Sequence, residues 1–158
     1  MGGNRCGVPA GMGGHLTSGP AVGHWTAKRV NGAFFEGGAT AIGLERNGKL
    51  VAGVIYENWN GKSLLAHMAV EGRLTRDFIA AIFDYPFNVC GVDKIICPVS
   101  SGNSKSIKLV LNMGFVAECK IADAYPDGDA VFYTLKRANC RFIGEKYGKK
   151  LTVAAAST

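Results

Sequence analysis

The chain of 158 residues lacks several features that mark special classes of protein. It contains no run of about 18 uninterrupted apolar residues, so we expect no membrane-spanning helix and no membrane partner. Its first residues show no basic segment followed by an apolar one, so we expect no secretory signal and a soluble, cytoplasmic protein. Apolar residues make up 47% and charged residues 19%, which is ordinary for one globular domain of this length.

The five cysteines form no C-x-x-C pair. An odd number without such spacing argues against a disulfide framework and against a structural zinc site. We therefore predict no metal and reduced cysteines, several of them packed as small apolar residues. A cysteine nucleophile assisted by His24 or His67 is a minor alternative, because no spacing singles out one cysteine.

Positive charge is concentrated at the C-terminal end. The net charge is +6, of which residues 136–158 contribute +5 and the preceding residues +1. Such a tail could bind nucleic acid or an acidic partner, although a solvated chain end is the favoured interpretation. Neither an RNA-binding aromatic signature nor zinc-finger spacing occurs in the sequence, so nucleic acid is the less favoured partner.

Glycine content divides the chain. Of the 22 glycines, 11 lie in residues 1–38, where apolar periodicity is also absent. We predict a flexible glycine-rich lead-in over residues 1–22, a single domain over 23–145 and a basic flexible tail over 146–158.

Three β-rich segments follow, at residues 39–45, 50–58 and 63–70, and two Asn-Gly pairs separate them. Asn-Gly is the strongest short hairpin signal, so these segments predict an antiparallel meander. Helical spacing of apolar residues over 74–90 then predicts a helix that bends or ends near Pro86. Residues 93–100 form the next strand, which should lie parallel to 63–70 because a helix connects them.

The stretch GNSKSIKLVLNMGF, residues 102–115, predicts a second helix. Asn103 or Ser104 can cap its N-terminus, and Gly114 supplies a left-handed stop. The remaining elements are predicted as strands over 115–121 and 129–137 and a short basic helix over 138–150. The order is βββαβαββ(α), an α/β (α+β) class of fold.

At these residues the sequence resembles the GNAT acetyltransferase superfamily. In the branch that acetylates ribosomal-protein N-termini, the motif N-x-x-S is followed by mostly apolar positions and then Leu- or Met-Gly-Phe. The matching positions here are Asn103, Ser106, Met113, Gly114 and Phe115. Residues 74–95 and 127–137 are similar to further parts of that branch, and the chain is also similar to small GNAT-like proteins of bacteriophages. The resemblance covers about residues 39–142.

This resemblance implies the GNAT fold, with a mixed, mostly antiparallel sheet, two parallel strands that separate, and helices on both faces. It implies acetyl-CoA as co-substrate, bound where the two strands separate. The pantetheine arm would lie along Met68, Ala69 and Val70. Asn103 would bond the amide of that arm or simply cap its helix, and Ser106 would lie near the leaving thiolate.

The resemblance also implies that the pyrophosphate of the co-substrate lies at the start of the first predicted helix, where free N–H groups and the helix dipole favour an anion. The residues at that place are Arg73, Leu74, Thr75 and Arg76. The family's loop has the form R/Q-x-x-G-x-G/A and is longer, whereas only Gly72 remains here. The two arginines are alternatively ordinary exposed residues of a first helical turn.

The mechanism implied is direct attack of a neutral amine on the thioester, with backbone N–H groups polarising its oxygen. His67 is our first candidate for the base, because histidine ordinarily titrates near neutral pH, and Glu57 is the second. Either residue could instead be merely packed or solvated. Many relatives carry a proton-donating Tyr where this chain has Val110, so the proton would come from Ser106, water or another group.

Acceptor-binding residues are expected before the last strand. Tyr125, Asp127 and Asp129 lie there, and carboxylates could bind a cationic amine. Pro-Asp-Gly is also strong turn chemistry, and that interpretation is favoured.

We therefore predict an enzyme, an N-acetyltransferase that transfers an acetyl group from acetyl-CoA to a primary amine of a protein N-terminus, a lysine or a small molecule. One alternative is a GNAT-fold protein without catalysis, serving in binding or in a phage virion. The other is a nucleic-acid-associated protein that uses the basic tail.

The chain is expected to be a monomer or a homodimer. The exposed edge of strand 39–45 would be covered by residues 23–38 or by a second subunit. We expect Trp25, Phe34 and Phe35 to pack onto the sheet.

Overall fold

The structure, a computed structural model, describes residues 14–144. Seven strands and three α-helices make up this part of the chain. In chain order they are β1 (His15–Ser18), α1 (Pro20–Arg29), β2 (Ala39–Arg46), β3 (Lys49–Glu57), β4 (Ser63–Val70), α2 (Arg76–Asp84), β5 (Lys94–Ser100), α3 (Ser104–Asn112), β6 (Val116–Tyr125) and β7 (Gly128–Lys136).

All seven strands form one sheet in the order β1-β2-β3-β4-β5-β7-β6. Only β4 and β5 pair in parallel, and every other neighbouring pair is antiparallel. The main apolar core joins α2 and α3 to one face of the sheet, whereas Val22 and Ala27 of α1 pack with Ala41 and Ile55 on the other. The predicted mixed sheet with helices on both faces is therefore confirmed.

The β2–β3 hairpin has the turn that the sequence predicts. Asn47 and Gly48 both take positive φ, at 53° and 76°, as a tight two-residue turn requires. In the longer β3–β4 connection the Asn60 side chain accepts hydrogen bonds from the backbone N–H groups of Lys62 and Ser63. Both Asn-Gly pairs thus reverse the chain, by different means.

Helix α2 ends near Pro86, as predicted, and continues as one π-helical turn over Tyr85–Val89. A proline has no N–H, so Pro86 cannot bond the carbonyl of Ile82 one turn earlier. The buried Tyr56 hydroxyl donates to that carbonyl instead, at 2.6 Å. A hydrogen bond of this kind contributes about 1 kcal/mol, and it holds the end of α2 against β3.

The prediction of a flexible segment over residues 1–22 is wrong from His15 onward; residues 1–13 lie outside the described residues. His15–Ser18 pair antiparallel with β2, and α1 begins at Pro20. Gly53 and Gly43 lie beneath α1 and let it approach the sheet closely, since an added Cβ on Gly53 would lie 2.1 Å from the Thr26 Oγ1. The lead-in therefore has ordered contacts that its glycine content does not suggest.

The edge of β2 is covered by β1, which is neither of the two coverings that we considered, residues 23–38 or a second subunit. Of the three aromatic residues expected on the sheet, Phe34 is buried with Ala41 and Ile55. Phe35 is 68% exposed, so the expectation is wrong for that residue. Trp25 is half-buried, and the Arg29 guanidinium lies 3.8 Å from its ring centroid.

The predicted basic helix over 138–150 is not found in its described part. A single 3-10 turn spans Arg137–Asn139, and Phe142 then stacks on Phe83 at 4.8 Å between ring centroids. After this turn the chain therefore packs Phe142 into the main core against α2, where a solvent-exposed basic helix was predicted. Residues 145–158, including the predicted basic tail, lie outside the described residues.

Candidate active site

The two parallel strands separate halfway along their length. β4 and β5 pair only between Ser63–Leu65 and Lys94–Ile96, although β4 continues to Val70 and β5 to Ser100. On its other edge each strand stays paired to its end: β4 pairs with β3, and β5 pairs with β7. The separation therefore opens a cleft between two strands that are each held in place.

The cleft has a volume of about 320 Å³. A volume of this size lies within the usual range for small-molecule sites. One face of α3, the end of β6 and the C-terminal end of α1 complete its lining. Its residues are Arg29, Val30, Asn31, His67, Met68, Ala69, Val70, Glu71, Cys97, Pro98, Val99, Ser100, Asn103, Lys105, Ser106, Leu109, Val110, Tyr125 and Asp127.

The two residues proposed separately as the base lie together. The Nε2 of His67 lies 2.8 Å from the Oε1 of Glu57, and their side chains are only 22% and 23% exposed. The contact follows from the sheet register, because His67 pairs with Ile55 and Leu65 with Glu57 on one face of the sheet. Of the two, only His67 lines the cleft. Glu57 can therefore orient the imidazole, while the imidazole faces the cleft.

Met68, Ala69 and Val70 line the β4 side of the cleft, where the resemblance places the pantetheine arm. The Lys105 ammonium on α3 reaches across and donates to the Val70 carbonyl at 3.0 Å. This contact ties the N-terminal end of α3 to the end of β4. Binding of the arm by these residues stays a prediction.

Among the described residues, the lining of the cleft on this side ends at Glu71. It does not include the four residues predicted to bind phosphate, which are Arg73, Leu74, Thr75 and Arg76. Thr75 is the N-cap of α2, and its hydroxyl accepts from the Phe78 N–H at 3.1 Å. The Arg73 carbonyl accepts from Arg46 at 2.8 Å. A role of this segment in phosphate binding stays a prediction.

Arg29 is a residue of the site that the sequence did not indicate. Its Nε lies 2.6 Å from the Glu71 Oε1, and its guanidinium packs on Trp25. The pair places a cation and an anion at the end of the cleft where β4 finishes. The signal in the sequence is the basic pair Lys28-Arg29 in the last turn of α1, but it becomes readable only once that helix is recognised.

Asn103 and Ser106 lie at the start of α3 and both line the cleft. The Asn103 side-chain oxygen accepts from the Ser106 N–H at 3.1 Å, so Asn103 is the N-cap of α3. Capping uses the oxygen of this amide and leaves its NH₂ as a further donor. Both suggested roles of Asn103 are therefore compatible. Ser106 is half-buried on the first turn.

Of the three predicted acceptor-binding residues, Tyr125 and Asp127 line the cleft. The Ser100 hydroxyl donates to Asp127 Oδ1 at 2.6 Å, which fixes that carboxylate at the cleft. Asp129 does not line it, and its side chain accepts from the Asp123 N–H at 3.0 Å within the β6–β7 hairpin. This contact supports the interpretation of Asp129 as a residue that stabilises the turn.

Two protonated groups face the cleft from β5 and β6. Burial, with the nearby Cys97 and Asp127, raises the pKa of Tyr125, so its phenol holds its proton at neutral pH. Burial also raises the pKa of Cys97 to about 12, so this thiol stays neutral and is a poor nucleophile. Val110, at the position where the resemblance would lead us to expect a proton-donating tyrosine, is buried and apolar.

Two further observations concern the part of the chain that the structure describes. Within residues 14–144 no group of three or more His, Cys, Asp or Glu residues could hold a metal ion. None of the helices described there is long and apolar enough to cross a membrane.

The sequence matches no protein-family model and no curated protein. The structure is similar to solved acetyltransferases. A spermidine N-acetyltransferase from Vibrio cholerae, solved in complex with CoA and spermine, is 18% identical with a TM-score of 0.56, over 65% of this chain and 68% of that one. A probable acetyltransferase is 19% identical with a TM-score of 0.56, over 64% of this chain and 62% of that one. The predicted GNAT fold is confirmed, and at these identities the likeness shows the fold alone.

Proposed function

We propose that the protein is an acetyl-CoA-dependent N-acetyltransferase that acts on a primary amine. The observation that carries the proposal is the separation of β4 and β5 beyond Leu65 and Ile96, with His67 in the resulting cleft. The cleft is large enough for a pantetheine arm and its thioester. The solved neighbour that contains CoA and spermine supports the same reaction class.

The lining of the cleft fits the charges of CoA. Arg29 and Lys105 supply cations, and the first turn of α3 supplies backbone N–H groups. Both cations already contact acceptor atoms, at Glu71 and at the Val70 carbonyl, so both are held at the end of β4 beside the cleft. Phosphate groups would form charge-assisted hydrogen bonds with them.

In the proposed reaction the neutral amine attacks the thioester carbon, forming the N–C bond as the C–S bond breaks. His67 accepts the proton that the amine loses, and Glu57 keeps the imidazole oriented. The thiolate takes a proton from a neutral donor in the cleft. Tyr125 and Ser106 are the two hydroxyl groups that we propose for this step.

The acceptor is proposed to carry a positive charge besides the reacting amine. Asp127 lines the cleft as a carboxylate fixed by Ser100, and Glu57 lies behind His67. Polyamines satisfy this requirement, because further ammonium groups remain charged when one amine reacts. A lysine side chain or a protein N-terminus satisfies it only where a second cationic residue lies next to the reacting amine. The acidic character of the acceptor side therefore favours a polyamine over a simple alkylamine.

The test is thiol release from acetyl-CoA in the presence of an amine panel: spermidine, spermine, a lysine peptide and peptides with free N-termini. We expect release that depends on at least one amine and that falls strongly in His67→Ala. His24→Ala is the matched control, because His24 pairs with Glu36 on the surface and does not line the cleft. A folded parent that neither binds acetyl-CoA in calorimetry nor releases thiol with any amine would refute the proposal and favour a binding role.

A further inference from the structure

A second, smaller cavity of about 30 Å³ lies on the face of the sheet that carries α2 and α3. It is lined by residues of β3, β4, α2, β5, α3 and Phe115. Met68, Cys97 and Val110 line this cavity and also the cleft, so the two spaces share a boundary where β4 and β5 separate. We call this smaller space the acyl pocket.

The acyl pocket is apolar, and none of its described lining residues is charged: Val54, Tyr56, Ala66, Met68, Ile82, Phe83, Ile95, Cys97, Val110, Met113 and Phe115. The polar end of Tyr56 is already bonded to the Ile82 carbonyl. Cys97 holds a neutral thiol, as its pKa of about 12 indicates. An alkyl group therefore suits this space, and a charged group does not.

Its size decides which alkyl groups suit it. A cavity needs about 10–15 Å³ by the same measure to hold one water-sized group, so 30 Å³ has room for one or two carbons. Met68 is partly buried and unbranched, and a methionine side chain adapts its shape to a neighbouring group. The pocket is thus suited to a short extension of an acyl group.

The alternation of side chains along β4 indicates the direction in which the acyl group of a bound thioester would extend. His67 lies on the α1 face of the sheet, with Ile55, whereas Met68 packs in the core on the α2 and α3 face. A thioester held between the two strands would have the base and the amine on one face. Its acyl carbons would extend toward the other face, where the acyl pocket begins.

We propose that the acyl pocket receives the distal carbons of the acyl donor, so that the protein binds propionyl-CoA and butyryl-CoA more tightly than acetyl-CoA. The proposal rests on the proposed function. The reaction is the same for every acyl length, because the acyl–sulfur bond breaks as the acyl–nitrogen bond forms. His67 again accepts the proton of the amine, and Tyr125 or Ser106 again protonates the thiolate.

The experiment is calorimetric titration of the full chain with CoA and with acetyl-, propionyl-, butyryl- and malonyl-CoA. We expect each added methylene, up to the length that fills the pocket, to tighten binding about 4-fold. Malonyl-CoA should bind more weakly than propionyl-CoA, because its terminal carboxylate would be desolvated. An affinity that is equal or declining from acetyl to butyryl would overturn the proposal.

Two variants of Val110 and one control test whether the dependence of affinity on acyl length arises in the acyl pocket. Val110→Phe should fill the pocket and abolish the gain with chain length, and Val110→Ala should extend the gain to one further carbon. Leu111→Phe is the matched control, because the neighbouring Leu111 is 50% exposed and lines neither space. Thermal unfolding would confirm that all variants fold. An equal response of the Val110→Phe and Leu111→Phe variants would overturn the assignment of the pocket.

The two proposals fail in different ways. A folded parent that does not bind CoA itself would refute the proposed function, and the acyl pocket with it. A parent that binds CoA and acetylates an amine, yet shows no dependence on acyl length, would refute the acyl pocket alone.

Discussion

The Nε2 of His67 on β4 lies 2.8 Å from the Oε1 of Glu57 on β3, and more than three quarters of each side chain is buried. The chain has a second pair of the same composition, in which His24 Nε2 lies 3.1 Å from Glu36 Oε1. Those side chains are 58% and 63% exposed. Within the described residues the same two residue types thus meet once at the cleft, partly buried, and once in solvent, which distinguishes an imidazole held at the cleft from an ordinary surface contact.

Substitution of His67 should reduce turnover through the loss of the base. We expect His67→Ala to lower kcat about 10²–10⁴-fold, and Glu57→Gln to lower it less, because Glu57 acts through His67. In the double variant the two effects should not add. Glu36→Gln should leave kcat unchanged. Steady-state kinetics on all four variants would check this, and additive losses would show that Glu57 acts independently of the imidazole.

Asn103 allows capping and cofactor binding to be separated. We expect Asn103→Ala to lower the free energy of unfolding by about 1 kcal/mol, because the Ser106 N–H loses its acceptor. Asn103→Ser keeps a capping oxygen and should preserve stability. If the remaining NH₂ of Asn103 binds the pantetheine arm, both variants should bind acetyl-CoA more weakly. Urea unfolding and calorimetry measure the two effects, and unchanged affinity in Asn103→Ser would leave capping as the whole role.

Much of the fold follows from local patterns. The Asn-Gly turns, the helical spacing over 74–90 and the cap and stop of α3 each specify a local structure, and each was predicted. β1 and α1 were missed because neither has a strong local pattern: β1 has four residues, and α1 begins after Gly19 without a side-chain cap. Their stability comes from pairing with β2 and from close packing over Gly43 and Gly53.

The residues of the candidate site also divide into those that local sequence patterns predicted and those that depend on tertiary contacts. His67, Asn103 and Ser106 lie on elements that were predicted, and all three line the cleft. Arg29 was missed because it approaches Glu71 from a helix that no sequence pattern indicated, 42 residues away along the chain. Asp127 and Asp129 are two residues apart in sequence, and only tertiary contacts distinguish the first, at the cleft, from the second, in the hairpin.

The packing of α1 on the sheet predicts a large effect at a small residue. Gly53→Ala would place a Cβ about 2.1 Å from the Thr26 Oγ1, and Thr26 is fully buried with its hydroxyl bonded to the Val22 carbonyl. We expect a loss of about 1–3 kcal/mol in the free energy of unfolding, because α1 must shift to accept the methyl group.

The matched control is Gly38→Ala, where an added Cβ meets no atom within 4 Å. This variant should be as stable as the parent or slightly more so. Urea unfolding of both variants would check these expectations, with the slopes of the unfolding free energy against urea concentration compared with that of the parent. A Gly53→Ala variant with unchanged stability would mean that α1 is not held closely against β3.

Acid should weaken the fold in part through Glu118. Hydrogen bonds from Lys94, at 2.6 Å, and from Thr134, at 3.0 Å, lower the pKa of Glu118 from its usual value of 4.5. A lowered folded-state pKa means that the contribution to stability is present above the unfolded-state value and is lost as pH falls through the folded-state value. The stability of the parent should therefore decline from about pH 5 downward, and Glu118→Gln should show a shallower decline.

Lys94→Met provides the coupled test of this pair. In a Lys94→Met background, Glu118→Gln should change the pH dependence less than it does in the parent, because the largest cause of the shift is already gone. Sodium chloride at about 0.5 M should reduce the effect in the parent, since Glu118 is about half exposed and surface ion pairs are screened. Urea midpoints between pH 3 and pH 7 measure it. An identical effect of Glu118→Gln with and without Lys94 would assign the lowered pKa to Thr134 and Lys136 instead.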